Sequence, residues 1–285
     1  MKKTIRNALD DGIKLLRDNK VIDAQIDANM LLEQILQMDK VNIIINGNKE
    51  ITEHKYISYM RLINIRAKGK PLQYITGYQE FMGLPFKVNN NVLIPRQDTE
   101  ILVLEAIKCI KENNITNILE IGSGSGCIPI SICNECENVR ATSVDISIEA
   151  ISVAKQNAVT NKVDDRISFI QSNLFEKVDN INNFELFISN PPYIKRNEIV
   201  SLMREVKDYE PIGALDGGED GLYFYKQISK KVKELTNEKS YIFYEVGHDQ
   251  SEEVKEILEY YGYTNINISK DLAGINRVVS GTMYK

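Results

Sequence analysis

The sequence has few residues of the kinds on which histidine- and cysteine-based chemistry depends. It contains two histidines, His54 and His248, and four cysteines in 285 residues. Two histidines leave little scope for a histidine-based catalytic triad. Cys133 and Cys136 have the Cys-x-x-Cys spacing of some metal sites, but no second pair exists and both histidines are far away in the sequence. We therefore expect structural thiols and no metal site.

Long apolar runs are also missing. No stretch approaches the roughly 18 apolar residues that span a bilayer, and no signal-like apolar core follows the first residues. Charged residues make up 26% of the sequence and hydrophobic residues 43%, as in an ordinary soluble protein. We therefore expect no membrane segment and a cytoplasmic location.

Positive charge is scarce in the larger part of the chain. Residues 1–90 contain 14 Lys and Arg and 10 Asp and Glu. Residues 91–285 contain 21 Lys and Arg and 30 Asp and Glu. An excess of acidic side chains disfavours a surface that binds phosphates. We therefore expect no direct nucleic-acid substrate.

The first 70 residues are predicted to form a small helical domain. Apolar residues recur at helical spacing over residues 4–18, 23–38 and 52–68. The domain could be a folding appendage or a module that recognises a partner, and we favour the second role.

Residues 71–96 are predicted to form a β-hairpin linker. Residues 74–88 are rich in aromatic, β-branched and glycine residues, and Asn89, Asn90 and Asn91 are predicted to form a turn.

Strands and helices alternate from residue 97 to residue 285. Strands are predicted at 116–121, 140–145, 167–171, 184–189, 240–246, 264–269 and 276–282, and helices at 98–112, 126–136, 147–160, 221–236 and 250–261. This alternation predicts an α/β fold with a doubly wound, mostly parallel, seven-stranded sheet. Its ligand crevice is expected at the carboxyl ends of the strands.

A tetrapeptide of unusual rigidity, Asn190-Pro191-Pro192-Tyr193, follows the predicted strand 184–189. Each proline lacks an N–H group, and a residue before proline is pushed away from helical angles. Such a loop leaves an amide oxygen and a backbone carbonyl free to accept hydrogen bonds from a planar NH2 group, with an aromatic ring alongside. The motif therefore predicts a site for an amide or for the exocyclic amine of a base.

A glycine-rich loop follows the predicted strand 116–121, in which Glu120 is the penultimate residue. The loop consists of Gly122, Ser123, Gly124, Ser125 and Gly126. The dinucleotide fingerprint has its third glycine three residues after the second, whereas these glycines alternate. A carboxylate at Glu120 would repel a pyrophosphate but could hold a protonated amine.

Together the two motifs resemble the class I methyltransferases that use S-adenosylmethionine. The resemblance implies that this cofactor binds at the glycine loop and Glu120, close to Asn190. The tetrapeptide narrows the acceptor to a planar amino nitrogen, either a glutamine amide or an amino group of adenine, cytosine or guanine.

The same resemblance directs attention to the ends of the next two strands. Asp145, followed by Ile146, could accept both ribose hydroxyls, or it could cap the helix that begins near Ser147. After the third strand, Asn173 could accept a hydrogen bond from the adenine amino group. Either Leu174 or Phe175 could then lie against the ring.

At finer grain the chain resembles the peptide chain release factor glutamine methyltransferases, the PrmC or HemK family. Besides the Glu120 loop and the Asn190 motif, the similar segments are 71–77, 81–83, 92–96, 209–211, 214–222, 245–247, 271–274 and 277–279. Two departures are visible: Gln97-Asp98 stands where the family often has Pro-Glu, and Asn173 stands where an Asp is common.

The family resemblance implies transfer of a methyl group to the glutamine of the Gly-Gly-Gln loop of class I release factors. We expect the protein to be a monomer. Asn190 and Pro191 would accept the two N–H groups of the glutamine, and Tyr193 would pack on the amide plane. Arg96 is a possible substrate-side residue, or an exposed, solvated arginine. The alternatives are a nucleic-acid amino-methyltransferase, a ribosomal-protein glutamine methyltransferase and a non-catalytic module that binds S-adenosylmethionine.

Overall fold

The structure, a computed structural model, describes residues 3–178, 183–236 and 239–284. The chain folds into two compact units. The first contains the residues up to Gly77 together with Met203–Tyr209, and the second contains Tyr78–Leu202 and the residues from Glu210 onward. The domain limits at residues 70 and 96 stay predictions.

The first unit is helical. Its helices are α1 (Ile5–Asp18), α2 (Ala24–Leu36), α3 (Lys40–Ile45), α4 (Glu53–Ala67), α5 (Leu72–Thr76) and α9 (Arg204–Lys207). The bounds of α1, α2 and α4 agree closely with the predicted ranges, because each of these helices buries a long apolar stripe. Helix α3 was not predicted, since six residues are too few to display a period.

Polar residues define where these helices begin. The Thr4 hydroxyl accepts a hydrogen bond from the backbone N–H of Asn7, and the Asp39 carboxylate accepts one from Asn42. Both are N-caps, which satisfy backbone donors that the first turn leaves free. Apolar side chains of α1, α2 and α4 then form the core, in which Leu16, Leu31, Leu32, Tyr59 and Ile63 are fully buried.

A β-hairpin opens the second unit, with strands β1 (Tyr78–Phe81) and β2 (Leu84–Lys87). The prediction of a hairpin is confirmed, but its placement needs correcting. Residues 72–76 are helical, and the hairpin turns at Met82 and Gly83, which both have positive φ. The predicted turn at Asn89 exists, but it follows the hairpin and is closed by a bond from the Val92 N–H to the Asn89 carbonyl.

The predicted doubly wound, seven-stranded sheet is confirmed. Its strands are β3 (Asn117–Ile121), β4 (Arg140–Asp145), β5 (Ile167–Gln171), β6 (Leu186–Ser189), β7 (Ser240–Glu245), β8 (Thr264–Lys270) and β9 (Asn276–Met283). They lie in the order β5-β4-β3-β6-β7-β9-β8, and β9 runs in the direction opposite to the other six strands. The chain order reverses between β3 and β6, so the loops after these two strands flank the topological switch point.

Helices cover both faces of this sheet. They are α6 (Asp98–Asn113), α7 (Cys127–Glu135), α8 (Ile148–Thr160), α10 (Tyr223–Leu235) and α11 (Ser251–Tyr261). Successive strand residues enter different cores: Ile118 packs with residues of α6 and α7, and Leu119 packs with residues of α10 and α11. The central strands β3 and β6 are buried at nearly every position, so their sequences show apolar runs and no alternation.

Candidate active site

A cavity of about 620 Å3 opens at the carboxyl edge of the sheet, within the second unit. Its walls include residues that follow β3, β4, β5 and β6. Small-molecule sites have volumes of about 300–1,000 Å3, and in open α/β sheets they lie at this edge. The cavity is therefore the candidate active site.

The glycine loop forms one wall of the cavity. Gly122, Gly124 and Gly126 all have positive φ. A methyl group on Gly126 would lie 3.0 Å from the Ile130 Cδ1 and 3.1 Å from the Ala154 Cβ, so this glycine allows α7 and α8 to pack closely. A methyl group on Gly124 would meet no described atom within 4 Å. The backbone at Gly124 is thus open to close approach by a ligand.

Glu120 lies at the carboxyl end of β3, lines the cavity and is 1% exposed. Its Oε2 accepts a hydrogen bond from the Ser143 hydroxyl. Its Oε1 has no hydrogen-bond partner among the described residues. Burial raises the pKa of Glu120 well above its usual value, although the Ser143 hydrogen bond opposes this, and the nearby charge of Asp145 adds to the rise. A cation in the cavity would supply the missing partner.

Asp145 ends β4 and joins two loops of the cavity wall. Its Oδ2 accepts a hydrogen bond from the Gly124 N–H, and its Oδ1 accepts one from the Ser147 N–H, each at 2.9 Å. The N-cap of α8 is Ser147 itself, whose hydroxyl accepts a bond from the Ala150 N–H. Carboxylate oxygens have two lone pairs each, so Asp145 keeps acceptor capacity toward the cavity.

Ile146 is exposed, with 68% of its surface accessible, and lines the cavity next to Asp145. An exposed apolar side chain in this position is available for contact with the face of a bound ring.

The residues after β5 divide between cavity and core. Asn173 is exposed, lines the cavity and donates a hydrogen bond to Glu176. Leu174 also lines the cavity and has a φ of 49°, which is uncommon for a residue with a side chain. Phe175 is buried in the core instead. Of the two predicted ring contacts, Leu174 is therefore the one that the fold presents to the cavity.

The Asn190 motif directly follows β6, across the switch point from the glycine loop. Asn190, Pro191 and Pro192 line the cavity. The Asn190 Nδ2 donates a hydrogen bond of 3.2 Å to the Thr99 hydroxyl oxygen, which leaves Oδ1 as the amide atom available to a ligand. Tyr193 packs partly against the core, and its hydroxyl lies 3.5 Å from the Glu245 Oε1. Packing of Tyr193 on a substrate amide stays a prediction.

Thr99 and Glu245 are residues of this site to which sequence analysis assigned no role. The Thr99 hydroxyl donates a hydrogen bond of 2.5 Å to the Glu245 Oε2. Burial raises the pKa of Glu245 to about 7, while hydrogen bonds from Thr99 and Asn190 oppose the rise. One signal pointed to Glu245: like Glu120, it is a carboxylate at the carboxyl end of a predicted parallel strand.

The segment 214–222 fixes the backbone of the Asn190 motif. The buried Gln250 connects the two, because its Nε2 donates to the Tyr193 carbonyl at 3.0 Å and to the Gly221 carbonyl at 3.4 Å. A methyl group on Gly217 would lie 2.7 Å from the Tyr193 Cα, so only glycine allows this approach. The N–H of Ile194 also bonds to the Leu215 carbonyl. These contacts give a structural role to a segment that has no predicted contact with the cofactor.

Arg96 lines the cavity and is paired within the protein. Its Nη2 donates to the Glu210 Oε1, and the Glu210 side chain is almost entirely buried. Arg96 is therefore held in place by a carboxylate and is more than a solvated surface residue.

The cysteines have buried or half-buried thiols. Cys133 and Cys136 are buried, whereas Cys109 and Cys127 are partly buried. Burial raises the pKa of Cys127 and of Cys133 to about 12, so both are protonated at neutral pH. In residues 3–178, 183–236 and 239–284, no group of three or more His, Cys, Asp and Glu side chains is placed to hold a metal ion. None of the helices in these ranges is long and apolar enough to cross a membrane.

Two family models match this sequence. One, described as the PrmC N-terminal domain, matches residues 7–77, and the other, described as a methyltransferase small domain, matches residues 98–206. The first range contains helices α2 to α5 and most of α1, and the second begins with α6 and includes strands β3 to β6.

Curated relatives match nearly the whole chain. A release factor glutamine methyltransferase of Clostridium acetobutylicum is 41% identical, over 96% of this chain and 97% of its own. A protein of the same description from Fusobacterium nucleatum is 41% identical, over 94% of this chain and 76% of its own. A methyltransferase structure from Pyrococcus furiosus shares the fold, with a TM-score of 0.51 and 15% identity over 78% of this chain and 98% of its own.

Proposed function

Because the chain belongs to the family of release factor glutamine methyltransferases, we propose that it methylates the side-chain amide nitrogen of a glutamine. The methyl donor is S-adenosylmethionine, and the acceptor is the glutamine in the Gly-Gly-Gln loop of class I peptide chain release factors. The observation that carries the proposal is the orientation of Asn190. Its amide nitrogen is bonded to Thr99, so its oxygen is left to accept a hydrogen bond from a substrate NH2 group.

The chemistry of the cavity residues fits S-adenosylmethionine. The buried Glu120 Oε1, which has no partner among the described residues, would accept a hydrogen bond from the amino group of the methionine end. Asp145 would accept from the ribose hydroxyls, and Leu174 and Ile146 would lie against the adenine ring. When bound, the cofactor supplies an electrophilic methyl group on a sulfonium sulfur.

Positioning of the acceptor nitrogen is the main contribution of the Asn190 motif. An amide nitrogen is a weak nucleophile, because its lone pair is delocalised into the carbonyl group. The Asn190 Oδ1 and the Pro191 carbonyl oxygen would each accept one N–H of the glutamine. The two bonds would aim the nitrogen and stabilise the positive charge that grows on it during transfer. A strong base is unnecessary, because the methylated amide loses its extra proton readily.

The first unit is proposed to bind the release factor outside the Gly-Gly-Gln loop. Ile22, Ile26 and Met30 have exposed fractions of 83%, 58% and 42%, and all three line one groove of this unit. Exposed apolar side chains around one groove are typical of protein-binding surfaces.

Transfer of labelled methyl groups tests the function directly. Purified enzyme and S-adenosylmethionine are incubated with a class I release factor, or with a copy in which the loop glutamine is replaced by alanine. We expect label on the intact factor only. The Asn190→Ala enzyme should have a kcat that is lower by about 100-fold or more, as is found when other residues that stabilise charge in a transition state are removed. Asn267→Ala, an exposed residue of the edge strand β8, is the matched control.

Other outcomes would redirect the assignment. Label on DNA or RNA, and none on the factor, would establish a nucleic-acid methyltransferase with the same site. Label on a ribosomal protein would keep the glutamine chemistry but change the substrate. Binding of S-adenosylmethionine with no turnover on any of these would favour the non-catalytic module.

A further inference from the structure

Hydrogen-bond donors and acceptors alternate along a buried chain of side chains beside the cavity. Glu245 accepts from the Thr99 hydroxyl at 2.5 Å, and the Thr99 oxygen accepts from the Asn190 Nδ2 at 3.2 Å. Thr99 and Glu245 are 2% and 3% exposed. These residues come from α6, β7 and the loop after β6, which are far apart in the sequence.

The direction of this chain follows from the chemistry of its members. An ionised carboxylate can only accept, so Thr99 must donate its single hydroxyl proton to Glu245. The Thr99 oxygen is then only an acceptor toward Asn190, so Asn190 must present its NH2 group to Thr99. Its carbonyl oxygen therefore faces away from Thr99 and is available to the substrate. An inverted amide would offer the substrate an NH2 group, which cannot accept a hydrogen bond from another NH2 group.

We propose that Thr99 and Glu245 are positioning residues that fix the Asn190 amide in the one orientation able to accept the substrate N–H. The proposal rests on the proposed function for its effect on turnover. The orientation of Asn190 itself can be measured without a substrate. Neither residue needs to touch the reacting atoms, because each acts through Asn190.

Protonation of Glu245 would allow the hydrogen bonds between Glu245, Thr99 and Asn190 to reverse their direction. A protonated Glu245 could donate to Thr99, which would free the Thr99 hydroxyl to donate to the Asn190 oxygen and so favour the inverted amide. Since the pKa of Glu245 is raised to about 7, kcat should rise with pH around neutrality. The titratable or charged side chains whose charges couple to Glu245 are Asp98 of α6, Cys127 of α7, Tyr193 after β6, Tyr225 of α10 and Arg277 of β9.

Matched substitutions at residue 99 separate the hydroxyl from the shape of the side chain. Thr99→Val keeps the shape and removes the hydroxyl, whereas Thr99→Ser keeps the hydroxyl. We expect Thr99→Val to lower kcat about 100-fold, as misplacement of a reacting group does, and to leave the KM for S-adenosylmethionine nearly unchanged. Thr99→Ser should retain kcat within about threefold. Thr282→Val is the control, because Thr282 pairs with Tyr241 at the opposite end of β7 from Glu245.

Glu245→Gln tests the direction of the hydrogen bonds between Glu245, Thr99 and Asn190. A glutamine side chain can donate to Thr99 at every pH, so kcat should fall about as far as in Thr99→Val and lose its rise near neutral pH. Equal kcat values in Thr99→Val, Thr99→Ser and the wild type would overturn the proposal. So would equal losses in Thr99→Val and Thr99→Ser.

Nuclear magnetic resonance of the 15N-labelled enzyme tests the orientation with no acceptor present. The side-chain NH2 signals of Asn190 are identified by their loss in Asn190→Ala. We expect them to move in Thr99→Val and Glu245→Gln and to stay nearly in place in Thr99→Ser. Unmoved signals in all three variants would refute the proposal even if the enzyme methylates the factor. Moved signals would support it even if another molecule proves to be the substrate.

Discussion

The buried Asp27 of the first unit and the buried Glu120 and Glu245 beside the cavity of the second unit have different kinds of partner. In the first unit, the buried Asp27 accepts a hydrogen bond of 2.6 Å from Arg66, which also forms an ion pair of 2.8 Å with Glu205. In the second unit, the buried Glu120 accepts a hydrogen bond from the Ser143 hydroxyl, and the buried Glu245 accepts from the Thr99 hydroxyl and the Asn190 amide, which are all uncharged donors. A hydroxyl compensates far less of the desolvation of a carboxylate than a guanidinium does.

The difference separates a structural use of buried charge from a functional one. The ion pair of Arg66 links α2, α4 and α9 within the first unit and leaves its charges satisfied. Glu120 and Glu245 lack such a partner. Burial raises the pKa of all three carboxyl groups, and at Asp27 the hydrogen bond and the charge of Arg66 oppose the rise. Strongly shifted carboxyl groups beside a cavity are typical of functional sites, because a ligand supplies what the protein leaves out.

The largest expected effect contrasts the two kinds of carboxylate directly. Asp27→Asn leaves the buried Arg66 with Glu205 as its remaining charged partner, so the free energy of unfolding should fall by about 3 kcal/mol. Glu120→Gln removes a charge that has no cation beside it, so the cofactor-free protein should be no less stable than the wild type at pH 8. The same substitution should weaken binding of S-adenosylmethionine about tenfold or more.

Urea unfolding and calorimetric titration of the cofactor measure both quantities. A loss of stability in Glu120→Gln as large as that in Asp27→Asn would remove the contrast. Unchanged cofactor affinity in Glu120→Gln would show that Glu120 has no role in binding.

The second expected effect is a pH dependence that belongs to the second unit. The pKa of Glu245 is raised from 4.5 in the unfolded chain to about 7 in the folded protein. Its contribution to stability is therefore complete below pH 4.5 and is lost as the pH rises toward 7, because only the folded state still holds the proton. Relative to the wild type, Glu245→Gln should become more stable by about 3 kcal/mol between pH 4.5 and pH 8.

The measurement is urea unfolding of the two proteins at several pH values, without cofactor. Asp98 and Arg277 are the nearby charges that raise and lower the pKa of Glu245, so both stay unchanged in the comparison. A difference in stability between Glu245→Gln and the wild type that does not vary with pH would contradict the raised pKa.

The smallest expected effect concerns substrate binding by the first unit. Replacing Ile22→Ser and Ile26→Ser together should raise the KM for the whole release factor about tenfold, which corresponds to about 1.4 kcal/mol of binding free energy. The KM for a short Gly-Gly-Gln peptide should not change, since the peptide does not reach the first unit. Val159→Ser, an equally exposed apolar residue of α8, is the control. Equal changes in KM for factor and peptide would refute a separate recognition surface.

The sequence by itself determined the elements and much of the site. Alternating strand and helix patterns predicted the sheet, and the glycine loop and the Asn190 motif were placed at strand ends. Since carboxyl ends of parallel strands share one edge, their proximity followed without coordinates. Local signals of this kind depend on residues within one or two elements, which a single sequence displays directly.

Only the tertiary structure decided which distant residues meet. Thr99 reaches Asn190 across 91 residues and Glu245 across 146, and the short α3 and the insertion of β9 between β7 and β8 have no local signature. Phe175 and Leu174 are neighbours in the sequence, yet one enters the core and the other the cavity. Such contacts depend on strand order and on packing between elements, and periodicity along the chain records neither.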